Sequence, residues 1–260
     1  SPTATPTSTP AAMAGTFNIA VTDFGQLDPT TGQVLESSSG RLLSQWLAQT
    51  LADELQTAIE DDLPGRPDVW HDAIENPRKN VQLGTVLGDS PEARHAAAAK
   101  IAENVNATMV VYGTVVGVGD DSELTVEFYL RPGLSKDEFD SLVGTEQLGR
   151  PILGPFDDAD PLANLAVERQ LRWRAQALFW LTQGLVLHLG GHPDLALEFF
   201  DRAEQELREW PDRDGKEILY FFQGREHFFL SELAGQDAAQ QLDEAQRLFE
   251  KAVDLRPDYA

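Results

Sequence analysis

The hydrophobic pattern divides the chain into two parts with different periodicities. In the first part, short β-rich apolar runs alternate with amphipathic stretches of helical period. Residues 17–24 favour a strand, and residues 41–59 repeat an apolar side chain at every fourth position, which is typical of an amphipathic helix. A second helix is predicted to begin at Pro91 after a Ser90 cap and to stop at Asn106. These elements predict a domain that mixes strands and helices.

A β-hairpin follows these helices. Residues 109–118 and 123–131 are two β-rich runs separated by a short Gly/Asp turn, and the second run alternates apolar and polar side chains strictly. Residues 68–72 form a weaker strand candidate, and residues 147–153 favour an edge strand. We therefore expect a small α+β domain over residues 17–160, with a mixed sheet and its helices on one face.

The order of these elements resembles a known family. The segment IAVTDFG, an amphipathic helix, and a second helix that leads through AENVNATMVVYGTV into a hairpin are similar to the amino-terminal domain of TolB and the related curli-secretion and adenylate-cyclase-associated domains. The resemblance covers about residues 17–131. It implies a non-catalytic module for protein contacts in bacterial envelope or sensory proteins, with no fixed functional residues. Residues 26–40 and the region after Pro132 depart from the compact family pattern and leave the strand order open.

Residues 161–260 contain a helical-hairpin repeat. Small residues let two helices approach closely and large ones fill the space between them, at the spacings of a tetratricopeptide repeat (TPR). One unit comprises Trp180, Gly184, Leu187, Ala196, Phe200 and Ala203, and a second comprises Tyr220, Gly224, Ala245, Phe249, Ala252 and Pro257. The second unit has about nine extra residues between Gly224 and Ala245, which predicts a longer first helix, a longer turn or both. The expected fold class is thus α+β, a small mixed-sheet α/β domain followed by an all-α TPR helical-hairpin array.

The segments that flank these two domains predict connections. A helix that contains Leu165, Leu171, Trp173 and Leu178 is expected to cap the array and to join it to the first domain. Residues 1–16 are rich in Thr and Pro and carry no charge, which favours a linker to a membrane anchor or to another domain, or else a disordered tail. Residues 255–260 resemble the seam between successive repeats. They predict further repeats, and an open repeat edge that allows self-association.

Charge and composition exclude several functions. The chain of 260 residues has 20 Lys and Arg against 43 Asp and Glu, a formal net charge of −23, and no cysteine. Nucleic-acid binding is not expected, because that affinity comes mainly from basic side chains. Disulfides, zinc ribbons and thiolate catalysis are excluded. No apolar run approaches the roughly 20 residues that span a bilayer, so contact with a membrane is expected only through a segment outside this chain.

Candidate catalytic and metal-binding residues are few. His188 and His192 have the spacing of helical metal ligands, but the adjacent glycines and proline place His192 in a turn, so neither a metal nor a cofactor is expected. His71 beside Asp72 suggests a polarised base and a hydrolase. Without a paired Ser or Cys motif, we favour a surface histidine and no enzymatic activity.

The remaining features favour a binding function. Adjacent aromatic pairs at 221–222 and 228–229 cannot both face inward, so aromatic surface is expected for peptide recognition or for stacking of repeats. The basic residues Arg169, Arg172 and Arg174 are expected to contact the acidic first domain rather than an acidic peptide. The candidate partner-binding residues, predicted to be exposed on the concave face, are Gln176, Gln183, Gln223 and Glu226.

We therefore expect a non-enzymatic scaffold or sensor that binds a protein or peptide. It is expected to belong to a larger signalling or envelope protein, tethered on the extracytoplasmic side of a bacterial membrane, with a cytoplasmic location left open. The alternative is a small-ligand or ion sensor in the first domain, whose signal the TPR helices relay to an effector domain.

Overall fold

A computed structural model describes residues 13–60, 67–74, 81–117, 119–131, 146–156, 165–208, 216–233 and 237–256. The predicted linker up to residue 12 and the helix-breaking Pro257 lie outside the described residues. The elements are β1 (Phe17–Val21), β2 (Gly25–Leu27), β3 (Val34–Glu36), α1 (Ser38–Glu60), β4 (Pro67–Trp70), α2 (Pro91–Val105), β5 (Met109–Val116), β6 (Glu123–Leu130), β7 (Glu146–Gln147), β8 (Ile152–Leu153), α3 (Leu165–Leu189), α4 (Pro193–Arg208), α5 (Lys216–Leu233) and α6 (Ala238–Leu255).

The strands form one mixed sheet around β5. Strands β1 and β2 run parallel to successive parts of one edge of β5, and β6 runs antiparallel along the other edge. Strand β4 extends the sheet beside β1, and β3 pairs with β2. The predicted hairpin and the predicted edge strand are confirmed, the latter as the two short strands β7 and β8 that pair with β6. Strands β2 and β3 were not predicted.

The helices of this domain lie on both faces of the sheet, so the predicted one-faced arrangement is wrong. Helix α1 packs its leucines against Ile19 and Val21 on one face. Helix α2 packs Ala98 and Ala102 against Ala20 on the opposite face. The physical reason is visible in β1, where all five residues are buried, because a strand covered on both faces is apolar on both sides.

The predicted ends of α2 are confirmed. The Ser90 Oγ accepts a hydrogen bond from the backbone N–H of Ala93 at 3.2 Å, and Pro91 is the first helical residue. Asn106 ends the helix in the left-handed region with φ of 58°. This cap turns the chain directly into β5.

The second part of the chain consists of two helical pairs, α3 with α4 and α5 with α6, and α4 packs against α5. Close contact within each pair depends on a glycine. A Cβ at Gly184 would lie 2.3 Å from the Phe200 ring, and one at Gly224 would lie 2.8 Å from the Phe249 ring. The predicted pairing of small and large residues is therefore present in both helical pairs.

The extra residues of the second pair lengthen both helices. Gly184 lies five residues before the end of α3, and Gly224 lies nine before the end of α5. Helix α4 begins three residues before Ala196, and α6 begins seven before Ala245. Each helix gains about one turn at the tip of the pair. The longer first helix is confirmed, and the longer second helix was not predicted; the predicted longer turn falls on residues 234–236, which lie outside the described residues.

The sheet domain and the helical pairs share one core. Helix α3 packs against α1, and the buried cluster on that face of the sheet continues into all the helices from α3 to α5. The helix predicted around Leu171 and Leu178 is the first half of α3 and is continuous with the segment that pairs with α4. Leu171 and Leu178 are buried, whereas Leu165 is exposed.

Candidate functional sites

A polar cluster, buried except for Arg41, lies at the carboxyl ends of β1 and β4. Asp23 follows β1, His71 follows β4, and Arg41 and Ser44 come from the first turns of α1. Arg41 Nε donates to Asp23 Oδ2 at 2.9 Å, and His71 Nε2 lies 3.0 Å from Ser44 Oγ and 3.4 Å from Asp23 Oδ1. The carboxyl edge of parallel strands is where α/β folds commonly bind ligands. This cluster therefore lies where a ligand site is expected in such a sheet.

The hydrogen bonds of His71 determine its tautomer. The backbone N–H of Ala73 donates to Nδ1 at 3.1 Å, so Nε2 carries the proton and faces Ser44 and Asp23. Burial lowers the pKa of His71, and Arg41 lowers it further, against the opposing effects of Asp23 and Asp72. His71 is fully buried, so the prediction of a surface histidine is wrong.

This cluster does not have the geometry of a Ser-His-Asp triad. Ser44 and Asp23 both face the same imidazole nitrogen, and the Ser44 hydroxyl donates to the carbonyl of Arg41 at 2.9 Å. Asp72, the partner in the hydrolase hypothesis, instead accepts the backbone N–H groups of Leu83 and Gly84. The cluster ties the ends of two strands to the start of α1.

The predicted basic cluster contacts the first domain through backbone carbonyl groups and an aromatic ring. The buried guanidinium of Arg174 donates to the carbonyls of Leu148 and Arg150 at 3.1 and 2.6 Å. The guanidinium of Arg172 lies 5.5 Å from the Trp46 ring centroid on α1. Arg169 stacks over Trp173 on its own helix. Arg174 therefore fastens α3 to the β7–β8 region of the sheet.

Three of the four predicted partner-binding residues are buried, so their predicted exposure is wrong. Gln183, Gln223 and Glu226 are 1%, 3% and 1% exposed, and Gln176 is half-buried. Gln223 Nε2 donates to Asp201 Oδ1 of α4 at 2.9 Å, and Glu226 is hydrogen-bonded to His188 of α3. These side chains join α5 to the first helical pair.

His188 and His192 lie where the neighbouring glycines and proline predicted them, in a helix and in a turn. His188 is in α3, and His192 lies in the three-residue connection before α4. Within the described residues, no group of three or more His, Asp or Glu side chains is placed to hold a metal ion. His188 instead makes its hydrogen bond to Glu226 Oε1.

An open apolar groove of about 530 Å³ lies along α5 and α6. Its apolar lining residues are Phe228, Leu242, Ala245, Phe249 and Val253. Phe228 and Leu242 are each 45% exposed. The polar lining residues are Gln246, Glu250 and Asp254, so both charged groups at this helix groove are acidic. We refer to these eight residues as the helix groove.

Sequence reasoning found only part of the helix groove. The adjacent pair Phe228 and Phe229 indicated aromatic surface on α5, and Phe228 is indeed exposed while Phe229 is half-buried. The contribution of α6 was missed, because Leu242 and Val253 follow the same helical period as the buried residues of that helix. Their exposure depends on which neighbour covers them, and the periodicity does not reveal that.

Comparisons with protein-family models, curated proteins and solved structures find no match for this chain. None of the helices that the structure describes is long and apolar enough to cross a membrane. The fold defines a mixed α/β protein with a mixed sheet and a set of paired helices.

Proposed function

We propose that this chain is a non-enzymatic protein-binding module whose helical pairs act as a TPR-type array and whose helix groove holds a helical, basic segment of a partner protein. The observation that carries the proposal is the exposed apolar floor of that groove. Large apolar side chains exposed together on a soluble surface mark interaction sites. We propose this surface as the partner-binding site in place of the predicted residues Gln183, Gln223 and Glu226, because those side chains are buried.

The shape of the helix groove favours a helical occupant. Its lining residues on α6 recur at three- and four-residue intervals from Leu242 to Asp254, which corresponds to a groove of about 18 Å at 1.5 Å per residue. A groove of this kind takes the apolar face of an amphipathic helix, anchored by side chains at positions i, i+3, i+4 and i+7. A partner helix of roughly three turns fills it.

The charge around the helix groove favours a basic occupant. Glu250 and Asp254 are exposed beside the apolar floor, and the whole chain carries a net charge of −23. A second copy of this chain would bring like charge to the same rim and is disfavoured at low salt. Lys and Arg flanking the apolar anchors would pair with this rim and raise the association rate.

The proposal places the module in a larger bacterial signalling or envelope protein, as the sequence resemblance implies. Tethering on the extracytoplasmic side of a membrane, continuation into further repeats and self-association through the open repeat edge remain predictions from the sequence.

Peptides of defined chemistry test the proposal. A fluorescent peptide of about 14 residues, with Leu at the anchor positions and Lys elsewhere, is expected to bind with saturable anisotropy. The same peptide with Glu for Lys is expected to bind at least about tenfold more weakly. A central proline should also weaken binding, because it breaks the helix. Raising the salt concentration should weaken the Lys peptide's binding.

A variant distinguishes groove binding from general attraction to an acidic protein. If the Lys peptide bound through general attraction to negative charge, Leu242→Asp would bind it as tightly as wild type or more tightly, because the variant adds a negative charge. If the peptide binds in the helix groove, the variant should abolish binding, because the apolar floor is lost. Leu165→Asp makes the same change at a position of α3 that is 77% exposed, and should leave binding intact. Equal binding to wild type and Leu242→Asp would overturn the proposal.

A further inference from the structure

A second cavity, of about 310 Å³, lies between the connection from α3 to α4 and the last turns of α5. Its apolar walls are Leu189, Pro193, Phe229 and Leu233. Its polar side chains are His188, Glu226 and Glu232. A concave site of this size, mostly apolar with a few convergent polar groups, is typical of small-ligand sites. It is separate from the helix groove, with which it shares none of its lining residues.

A buried hydrogen-bonded pair forms the inner end of this cavity. His188 Nδ1 is bonded to Glu226 Oε1, and the two side chains are 3% and 1% exposed. The rings of Phe222 and Phe229 each lie 5.8 Å from the imidazole, measured between ring centroids. A carboxylate in such surroundings is costly unless it is paired, and charges placed near it act through a low dielectric.

The outer wall of the cavity is built by the extra turn of the second helical pair. Phe229 and Leu189 occupy equivalent positions, each five residues after the glycine of its helix, Gly224 or Gly184. Helix α3 ends at Leu189. Helix α5 continues for four more residues, and this turn contributes both Glu232 and Leu233 to the lining. The insertion that distinguishes the second pair from the first therefore creates the cavity wall and one of its two carboxylates.

The cavity is negatively charged in either protonation state of its histidine. With a neutral imidazole, Glu226 and Glu232 give a lining charge of two negatives, and with an imidazolium one negative charge remains. A complementary ligand therefore carries a cation and lays an apolar stem against Leu189, Phe229 and Leu233. We infer that this cavity binds a primary ammonium or guanidinium group on an apolar stem, as found in a free alkylamine or in a lysine or arginine side chain of a partner.

Amide chemical shifts of the full chain test this inference with hexylammonium as the probe. Saturable shifts are expected at Gly191, Phe229 and Glu232. Hexan-1-ol and hexanoate share the stem without the cation and are expected to bind at least about tenfold more weakly, because a charge-assisted bond to a carboxylate is lost. A capped Ala-Lys-Ala tripeptide tests the side-chain source. Tighter binding of hexylammonium would assign the cavity to a free amine, and tighter binding of the tripeptide would assign it to a partner's lysine; either result supports the inference.

Two variants locate the binding. Glu226→Gln keeps an acceptor for His188 and removes the charge, and is expected to weaken hexylammonium binding about tenfold. Leu233→Trp fills the cavity mouth from a position that is 75% exposed, so it should block binding without unfolding the chain. Leu165→Trp is the matched control and should bind as wild type does. The inference is overturned if hexan-1-ol binds as tightly as hexylammonium, if Leu233→Trp still binds, or if no saturable shifts occur.

Discussion

A methyl group placed on Gly184 would lie 2.3 Å from Cε1 of Phe200, closer than nonbonded carbon atoms approach. Helices α3 and α4 are therefore packed at a distance that only glycine permits at this position. The same relationship recurs between Gly224 and Phe249 at 2.8 Å. The close approach defines the geometry of both helical pairs and thereby the positions of the cavity and the helix groove.

Gly184→Ala is expected to lower the free energy of unfolding by about 3 kcal/mol, because Phe200 is fully buried and cannot move aside. Gly224→Ala should cost about 1 kcal/mol, since Phe249 is only half-buried and has room to turn. Urea denaturation measures both. In an open helix the same change stabilises by up to about 1 kcal/mol, so stabilisation by Gly184→Ala would contradict the packing described here.

His71 is expected to make stability depend on pH. Burial lowers its folded-state pKa, so the unfolded chain binds the proton more readily and the free energy of unfolding falls as pH drops below about 6.5. The loss levels off below the folded-state pKa. The charged groups that act on His71 are Asp23, Asp72 and Arg41.

Thermal unfolding between pH 7 and about pH 5 measures this dependence. His71→Gln retains a donor toward Ser44 and should unfold with a shallower pH slope in this range. His192→Gln, at an exposed position, should keep the slope of wild type. An unchanged slope in His71→Gln would show that other groups control the acid response.

Arg174→Met is expected to destabilise the chain by about 3 kcal/mol or more, because it leaves carbonyl groups at the α3–sheet junction without their donor. Those groups belong to Leu148 and Arg150. Arg172→Met is the control, since that side chain is half exposed and its contacts with Glu168 and Trp46 should be worth about 1 kcal/mol or less. Urea denaturation of the two variants should separate them, and equal midpoints would contradict a fastening role for Arg174.

The sequence predicted well those elements that local chemistry determines. Ser90, Pro91 and Asn106 mark the ends of α2 through capping and a left-handed stop, and all three signals are found at the predicted positions. The repeat spacing predicted both glycine contacts, because close approach of two helices demands a small residue opposite a large one.

Tertiary relationships were harder to predict. The largely apolar run at 17–21 suits a strand covered on one face or on both, so the second helical layer was missed. Gln183, Gln223 and Glu226 are polar side chains at helix positions, and polarity alone suggested exposure. Gln223 and Glu226 are buried against hydrogen-bond partners on other helices, Asp201 and His188. The cavity beside His188 arises from the insertion in the second helical pair. The sequence shows how many residues the insertion has, but not how they are divided between α5, the turn and α6.

Selection from a displayed library of random peptides against wild type, with removal of peptides that bind Leu242→Asp, tests whether the helix groove takes a basic amphipathic helix. This experiment presumes no partner and reads out the chemistry that the groove prefers. The proposed groove function predicts enriched peptides with apolar residues at i, i+3 or i+4, and i+7, flanked by Lys and Arg. Enrichment of acidic or proline-rich peptides, or of peptides that bind Leu242→Asp equally well, would contradict it.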